Sequence, residues 1–214
     1  MIVDQIMNKK VITLNPGDTL AKAIDVMKKE RIRHIPIVNE NGSLAGIVSD
    51  RDVKDASPSV FQLIEKVDEL DQPLENIMKT DVVTGHPLDF VEEISSIFYE
   101  RKIGCMPILK AGKLTGIITE SDLLHTFVQL TGANQPGSQI EVKVPNRAGL
   151  LSEVSGIFQQ RNINIASVLV YPDRDEHFKI LVFRVQTMNP TGIISDLEAA
   201  GYHVLWPNMP EMPL

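Results

Sequence analysis

The chain has a single cysteine, Cys105, in 214 residues. An internal disulfide and a cysteine-rich zinc site are therefore excluded. Aromatic residues are scarce, at 5%. Cations are in the minority: 21 Lys and Arg face 28 Asp and Glu, a formal net charge of −7. Phosphate backbones are bound through clustered cations, so this balance argues against a nucleic-acid partner. No apolar run approaches the ~20 residues that a membrane helix needs. The opening Met1-Ile2-Val3-Asp4-Gln5 lacks the basic-then-apolar pattern of a signal peptide. Catalytic signatures are missing as well. His34, His86, His125, His177 and His203 are scattered, with no His-Glu-x-x-His pair, G-x-S-x-G elbow, P-loop or G-x-G-x-x-G. Cys105 lies in a Gly-Cys-Met-Pro run at the start of a strand and reads as a small buried apolar residue rather than a nucleophile. These absences lead to the expectation of a cytoplasmic, non-enzymatic protein with no catalytic residue, no metal, and neither a membrane nor a nucleic acid as partner.

What the sequence does have is a repeat. Ile6-Met7-Asn8-Lys9-Lys10-Val11-Ile12-Thr13 recurs as Ile77-Met78-Lys79-Thr80-Asp81-Val82-Val83-Thr84. Pro16, Asp18, Ile32 and Pro36 then match Pro87, Asp89, Ile103 and Pro107 without a gap. After a one-residue deletion, Gly46-Ile47-Val48-Ser49-Asp50-Arg51-Asp52 matches Gly116-Ile117-Ile118-Thr119-Glu120-Ser121-Asp122. Each unit reads as strand, helix, strand, strand, helix. Val11 to Thr13 is β-prone, and Asp18 and Asp89 stand where a helix N-cap belongs. Leu20, Ala23, Ile24 and Met27 follow at helical spacing, echoed by Val91, Ile94 and Phe98. Asn41-Gly42 and Ala111-Gly112 mark hairpin turns. Helices at 52–56 and 122–130 close the units, and Val60, Leu63, Ile64 and Val67 give the connecting stretch a helical pattern. The expected domains are 1–70 and 71–131. Thr131-Gly132-Ala133-Asn134-Gln135-Pro136-Gly137 is a breaker cluster. Beyond it, residues 138–210 read as βαββαβ, the ferredoxin-like order. The fold class expected is α+β.

Ser49-x-x-Asp52 and Thr119-x-x-Asp122 each place a hydroxyl and a carboxylate at a strand-to-helix junction. One reading is a helix capping box. The other is a ribose site, since a carboxylate accepts from both vicinal hydroxyls and a helix start offers N–H groups to phosphate. Recurrence of the pair in a duplicated unit favours the second.

The repeat resembles a tandem pair of CBS domains, the Bateman module. The resemblance is carried by the Ile-Met openings, Ile35-Pro36-Ile37-Val38, Met106-Pro107-Ile108-Leu109 and the Gly-apolar-apolar-Ser/Thr-x-x-Asp closures. It implies a regulatory protein that binds AMP, ADP, ATP or S-adenosylmethionine. Asp52 and Asp122 would hold ribose, Ser49 and Thr119 would reach ribose or phosphate, and Thr13 and Thr84 would lie near the base. Arg33, His34 and Arg51 correspond to Gly104, Cys105 and Ser121. Phosphate needs cations, so the site at Asp52 is expected to be the phosphate-binding one and the site at Asp122 to take a less charged ligand.

Asn146-Arg147-Ala148-Gly149-Leu150-Leu151 and Asn162-Ile163-Asn164-Ile165 resemble an ACT domain, which implies a small amino acid held by Asn146, Gly149 and Asn164 between two copies. Val144 stands where some members carry histidine, which leaves pure dimerisation as an equal reading. The whole arrangement is similar to the acetoin utilization proteins. Leu130-Thr131-Gly132-Ala133-Asn134-Gln135-Pro136-Gly137-Ser138 and Thr187-Met188-Asn189-Pro190 support this. It implies a homodimeric regulator of acetoin or butanediol catabolism acting on a further protein. A static scaffold with no nucleotide ligand is the alternative.

Overall fold

The computed structural model describes residues 1–57 and 70–207. The helical pattern at Val60 to Val67 lies outside the described residues. The chain divides into two units, Met1–Leu124 and His125–Leu214.

In the first unit each repeat runs from an amphipathic helix into a hairpin and a second helix. The elements are α1 (Leu20–Glu30), β1 (His34–Val38), β2 (Leu44–Ser49) and α2 (Asp50–Ala56), then α3 (Val91–Arg101), β3 (Cys105–Lys110), β4 (Lys113–Thr119) and α4 (Glu120–Thr131). β1–β2 and β3–β4 are antiparallel two-stranded sheets. Ala111 and Gly112 both have positive φ, as a two-residue hairpin turn requires. α1 and α3 end on left-handed residues at equivalent positions, Arg31 (φ 55) and Lys102 (φ 52).

Two local expectations need correction. Asp18 and Asp89 are not N-caps. Thr19 caps α1 by accepting from the Lys22 N–H, and Phe90 stands at the start of α3 with no side-chain cap. The aspartates instead close the preceding turns, accepting from the Asn15 and His86 N–H groups at 2.8 and 2.7 Å. Nor is Val11 to Thr13 a strand. Only Leu14 pairs, in parallel, with Ile37, and Gly85 pairs likewise with Ile108. The Leu14 N–H donates to the Pro36 carbonyl, and Leu14 O accepts from the Val38 N–H. Extending that ladder backwards would need an N–H from Pro36, which proline lacks. Pro107 imposes the same stop in the second repeat.

The repeats exchange their opening turns. Val3, Ile6 and Met7 pack with Ile94, Phe98, Met106, Ile108 and Ile118 of the second repeat. Leu74, Ile77 and Met78, which open the second repeat, pack with Leu14, Leu20, Ile35, Ile37 and Val48 of the first. The backbone follows the same exchange. The Val3 N–H donates to Asp89 O, and the Leu74 N–H donates to Asp18 O. Asn8 forms a reciprocal bridge with Ile117 on β4, and Lys79 forms one with Ile47 on β2. Two glycines permit the close approach. A Cβ on Gly46 would lie 2.8 Å from both Lys79 O and Met78 Sδ, and one on Gly116 would strike Met7 Sδ.

The second unit contains β5 (Ser138–Pro145), α5 (Leu150–Gln160), β6 (Ile165–Pro172), β7 (Phe178–Val185), α6 (Thr191–Ala199) and β8 (His203–Trp206). The strands form one antiparallel sheet in the order β6-β7-β5-β8. Alternation along β5 buries Ile140, Val142 and Val144 against Leu150, Val154 and Phe158 of α5 and Ile193 and Leu197 of α6. The Phe158 and Phe183 rings meet at 4.7 Å between centroids. This is the ferredoxin-like arrangement read from the sequence. Among the described residues no helix is long and apolar enough to cross a membrane, and no group of three or more His, Cys, Asp or Glu is placed to hold a metal ion.

Candidate functional site

Both hydroxyl–carboxylate pairs form the capping box. Asp52 Oδ2 accepts from the Ser49 N–H at 2.8 Å and from Ser49 Oγ at 2.5 Å, and Ser49 Oγ accepts from the Asp52 N–H. Asp122 Oδ2 accepts from the Thr119 N–H at 2.8 Å and Oγ1 at 2.7 Å. Capping uses one carboxylate oxygen. A carboxylate has about four acceptor sites, so capping does not preclude a second role. Asp52 Oδ1 also meets Lys79 Nζ at 2.9 Å. Burial raises the Asp52 pKa, but the hydrogen bonds from Ser49 and Lys79 outweigh it and hold the carboxyl below its ordinary value.

Each carboxylate borders a cleft, and the exchange of opening turns determines the other wall. The cleft at Asp122, of about 290 Å³, is walled by Val11 and Ile12 from the first repeat and by Ile117 and Thr119 from the second. The cleft at Asp52, of about 380 Å³, is walled by Val82 and Val83 from the second repeat and by Ile47 and Ser49 from the first. Such volumes suit a small ligand. An apolar, β-branched pair from one repeat therefore faces the Ser/Thr-x-x-Asp turn of the other. A repeat-by-repeat alignment does not reveal that pairing.

The charged residues are distributed differently from the sequence expectation. Arg51 does line the Asp52 cleft. Arg33 and His34, assigned to that site alone, line both clefts. Thr13 and Thr84, expected near the base, are not among the lining residues of either. Residues not singled out in the sequence complete the clefts. Lys10 and Arg31 stand at Asp122, and Lys79, Asp81 and Lys102 at Asp52. Arg31 and Lys102 had a signal available: they occupy equivalent positions at the ends of α1 and α3, and both are basic.

His34 sits against Gly104, where a Cβ would come within 3.0 Å of the ring. Burial, reinforced by Arg33, lowers its pKa, and Asp50, Glu120 and Asp52 oppose this only in part. The neutral imidazole is thereby favoured over the cation. Cys105, which also lines the Asp52 cleft, is buried, and burial alone pushes its thiol up to about 12. Thiolate is the reactive form. The folded protein should therefore resist Ellman's reagent at pH 8 and react stoichiometrically once unfolded in guanidinium. Rapid reaction of the native protein would overturn that assignment.

In the second unit, Asn146 Nδ2 donates to Glu176 O at 3.1 Å, and Asn164 Nδ2 donates to Gln186 Oε1 at 2.9 Å. Gly149, with φ 87, opens α5. All three are exposed. They do not converge within one copy. Pro145 pairs with Phe178 at one end of β7, and Ile165 pairs with Val185 at the other. Asn146 and Gly149 therefore lie beyond one end of the sheet and Asn164 beyond the opposite end, about 25 Å away along an eight-residue strand.

Comparison with known proteins agrees with this architecture. The CBS domain profile matches residues 3–59 and 74–129, and the ACT domain profile matches residues 138–201. A CBS domain-containing protein of Dictyostelium discoideum is 32% identical over 143 residues, covering 64% of this chain and 99% of that protein. Homoserine O-acetyltransferase of Methanococcoides burtonii is 34% identical over 122 residues, covering 56% of this chain but only 23% of the enzyme. Among solved structures, a candidate acetoin utilization protein (AcuB) from Vibrio cholerae shares 34% identity with a TM-score of 0.56, covering 64% of this chain and 98% of that one. The CBS domain pair of protein MJ0100, solved with 5′-methylthioadenosine and S-adenosyl-L-methionine, shares 25% identity with a TM-score of 0.52, covering 63% and 98%. With two matched repeats spanning more than half its length, the chain belongs to the CBS domain family, as a tandem pair followed by an ACT domain.

Proposed function

We propose that this chain is a non-catalytic metabolite sensor whose CBS pair binds an adenosyl ligand, of the AMP, ADP, ATP or S-adenosylmethionine class, in the clefts at Asp52 and Asp122. One observation carries the reading. Each cleft opposes an apolar pair, Val82-Val83 or Val11-Ile12, to a Ser/Thr-x-x-Asp turn from the other repeat. A flat base fits the first wall and a ribose diol fits the carboxylate. The similarity to a CBS pair solved with two adenosyl compounds supports the ligand class. A ligand held between walls of different repeats binds one packing of those repeats more tightly than another, which is what regulation requires. At Asp52 the diol displaces Lys79, whose side chain is 65% exposed. An ion pair that exposed costs little to break.

The regulated process is a further protein of acetoin or butanediol catabolism, a reading that rests on the similarity to the Vibrio cholerae protein. The chain acts in the cytoplasm as a homodimer, and its ACT domain adds a small amino acid as a second input, with Asn146, Gly149 and Asn164 contributed from two copies.

Titration calorimetry with AMP, ADP, ATP, S-adenosylmethionine and adenosine tests the core of the proposal. Asp52→Asn with Asp122→Asn keeps an acceptor for each capping N–H but removes the charged acceptor. Hydrogen bonds to charged groups are worth ~1.5–3 kcal/mol, so affinity should fall at least about tenfold with circular dichroism unchanged. No heat from any adenosyl compound, or unaltered affinity in the double variant, would defeat the proposal. A scaffold with no ligand is the second reading. It is favoured by the engagement of both carboxylates in capping boxes.

A further inference from the structure

The two clefts differ in charge. At Asp122, three cations, Lys10, Arg31 and Arg33, face one carboxylate. At Asp52, four cations (Arg33, Arg51, Lys79 and Lys102) are offset by four carboxylates, Asp50, Asp52, Asp81 and Glu120. Part of the difference comes from the exchange of opening turns. Lys10 of the first repeat and Asp81 of the second are equivalent positions in the sequence, yet each serves the cleft of the other repeat's aspartate. Arg33, on the link between α1 and β1, borders both clefts. Lys79 is already paired with Asp52 at 2.9 Å. Lys10, Arg31 and Arg33 are all exposed, with side chains able to reorient onto an anion.

We infer that the Asp122 cleft takes a phosphorylated adenosyl ligand, and that the Asp52 cleft takes an adenosyl compound without phosphate, uncharged or zwitterionic. This rests on the adenosyl reading above and reverses the assignment drawn from the sequence. Phosphate carries up to two negative charges and is bound in planar fashion by guanidinium groups, of which the Asp122 cleft presents two without a compensating set of acids. In the Asp52 cleft the acids cancel that attraction. Their mixture of signs suits a ligand tail bearing both charges.

Lys10→Asp places in the Asp122 cleft the residue that the Asp52 cleft has at the equivalent position, and Asp81→Lys makes the reverse exchange. Both positions are exposed. AMP and adenosine, which differ only in phosphate, are titrated into wild type and each variant by calorimetry at low salt. In wild type, AMP should bind one site more tightly than adenosine does, and the difference should shrink as salt is added. Lys10→Asp should lower the AMP-to-adenosine affinity ratio about tenfold, and Asp81→Lys should create a second AMP site. Asp122→Asn should abolish the high-affinity AMP site, whereas Asp52→Asn should leave AMP preferring it. A ratio unchanged by Lys10→Asp, or loss of AMP binding on Asp52→Asn alone, overturns the assignment and leaves the adenosyl reading intact. If neither compound binds wild type, both fall.

Discussion

Removal of residues 1–7 is expected to unfold the second repeat, 80 residues and more further along the chain, and to disturb the first repeat least. Val3 is fully buried and Met7 is 8% exposed, and both lie in the core formed by Ile94, Phe98, Met106, Ile108 and Ile118. Emptying one such position of a large side chain costs ~2–5 kcal/mol. Two buried side chains, the partly buried Ile6 and the backbone bonds to Pro87 and Asp89 are lost together. The total is comparable to the ~5–15 kcal/mol that holds a whole domain folded. The first repeat keeps its borrowed residues, Leu74, Ile77 and Met78, in place. Hydrogen exchange should show lost amide protection along β3 and β4 and α3, with β1 and β2 changed least. Equal loss in both hairpins, or none in either, would refute the account of exchanged openings.

Gly46→Ala should destabilise the protein by ~1–3 kcal/mol, the usual penalty for overpacking. The new methyl carbon would sit 2.8 Å from Lys79 O. That oxygen cannot retreat, because Lys79 and Ile47 exchange both backbone hydrogen bonds at 2.9 Å. Gly116→Ala meets a nominally closer contact, but with Met7 Sδ, the middle of an unbranched side chain with three rotatable bonds. It should cost less. Gly17→Ala, with nothing within 4 Å, is the neutral control. Thermal melts of the three variants check the ranking. Ile47 and Lys79 line the Asp52 cleft, so Gly46→Ala should also weaken ligand binding there, whereas Gly17→Ala should not.

Much of the fold could be read from the sequence because its signals are local. Helical spacing at Leu20, Ala23 and Met27, the Asn41-Gly42 turn and the breaker run after Leu130 each mark structure within a few residues. The two aspartates could be found because they recur. The composition of each cleft could not. An alignment of repeats pairs Lys10 with Asp81 and Arg33 with Gly104, but does not say which repeat supplies the opposite wall. Two nearly identical opening turns satisfy either core by pattern alone, and the choice between them is made by long-range packing. That is why the sequence alone points Arg33 and His34 to Asp52 and passes over Lys10, Lys79 and Asp81. Pro36 and Pro107 show a milder case. Their effect on the neighbouring segment follows from proline's missing donor, but only once the parallel bridge is known.

Asn146 and Asn164 lie at opposite ends of the second unit's sheet. One compound the size of an amino acid cannot touch both within a single molecule. If it engages both, two molecules must share it, and its apparent affinity will then rise with the total amount of protein in the tube. Such a ligand would report abundance of the protein as well as its own concentration.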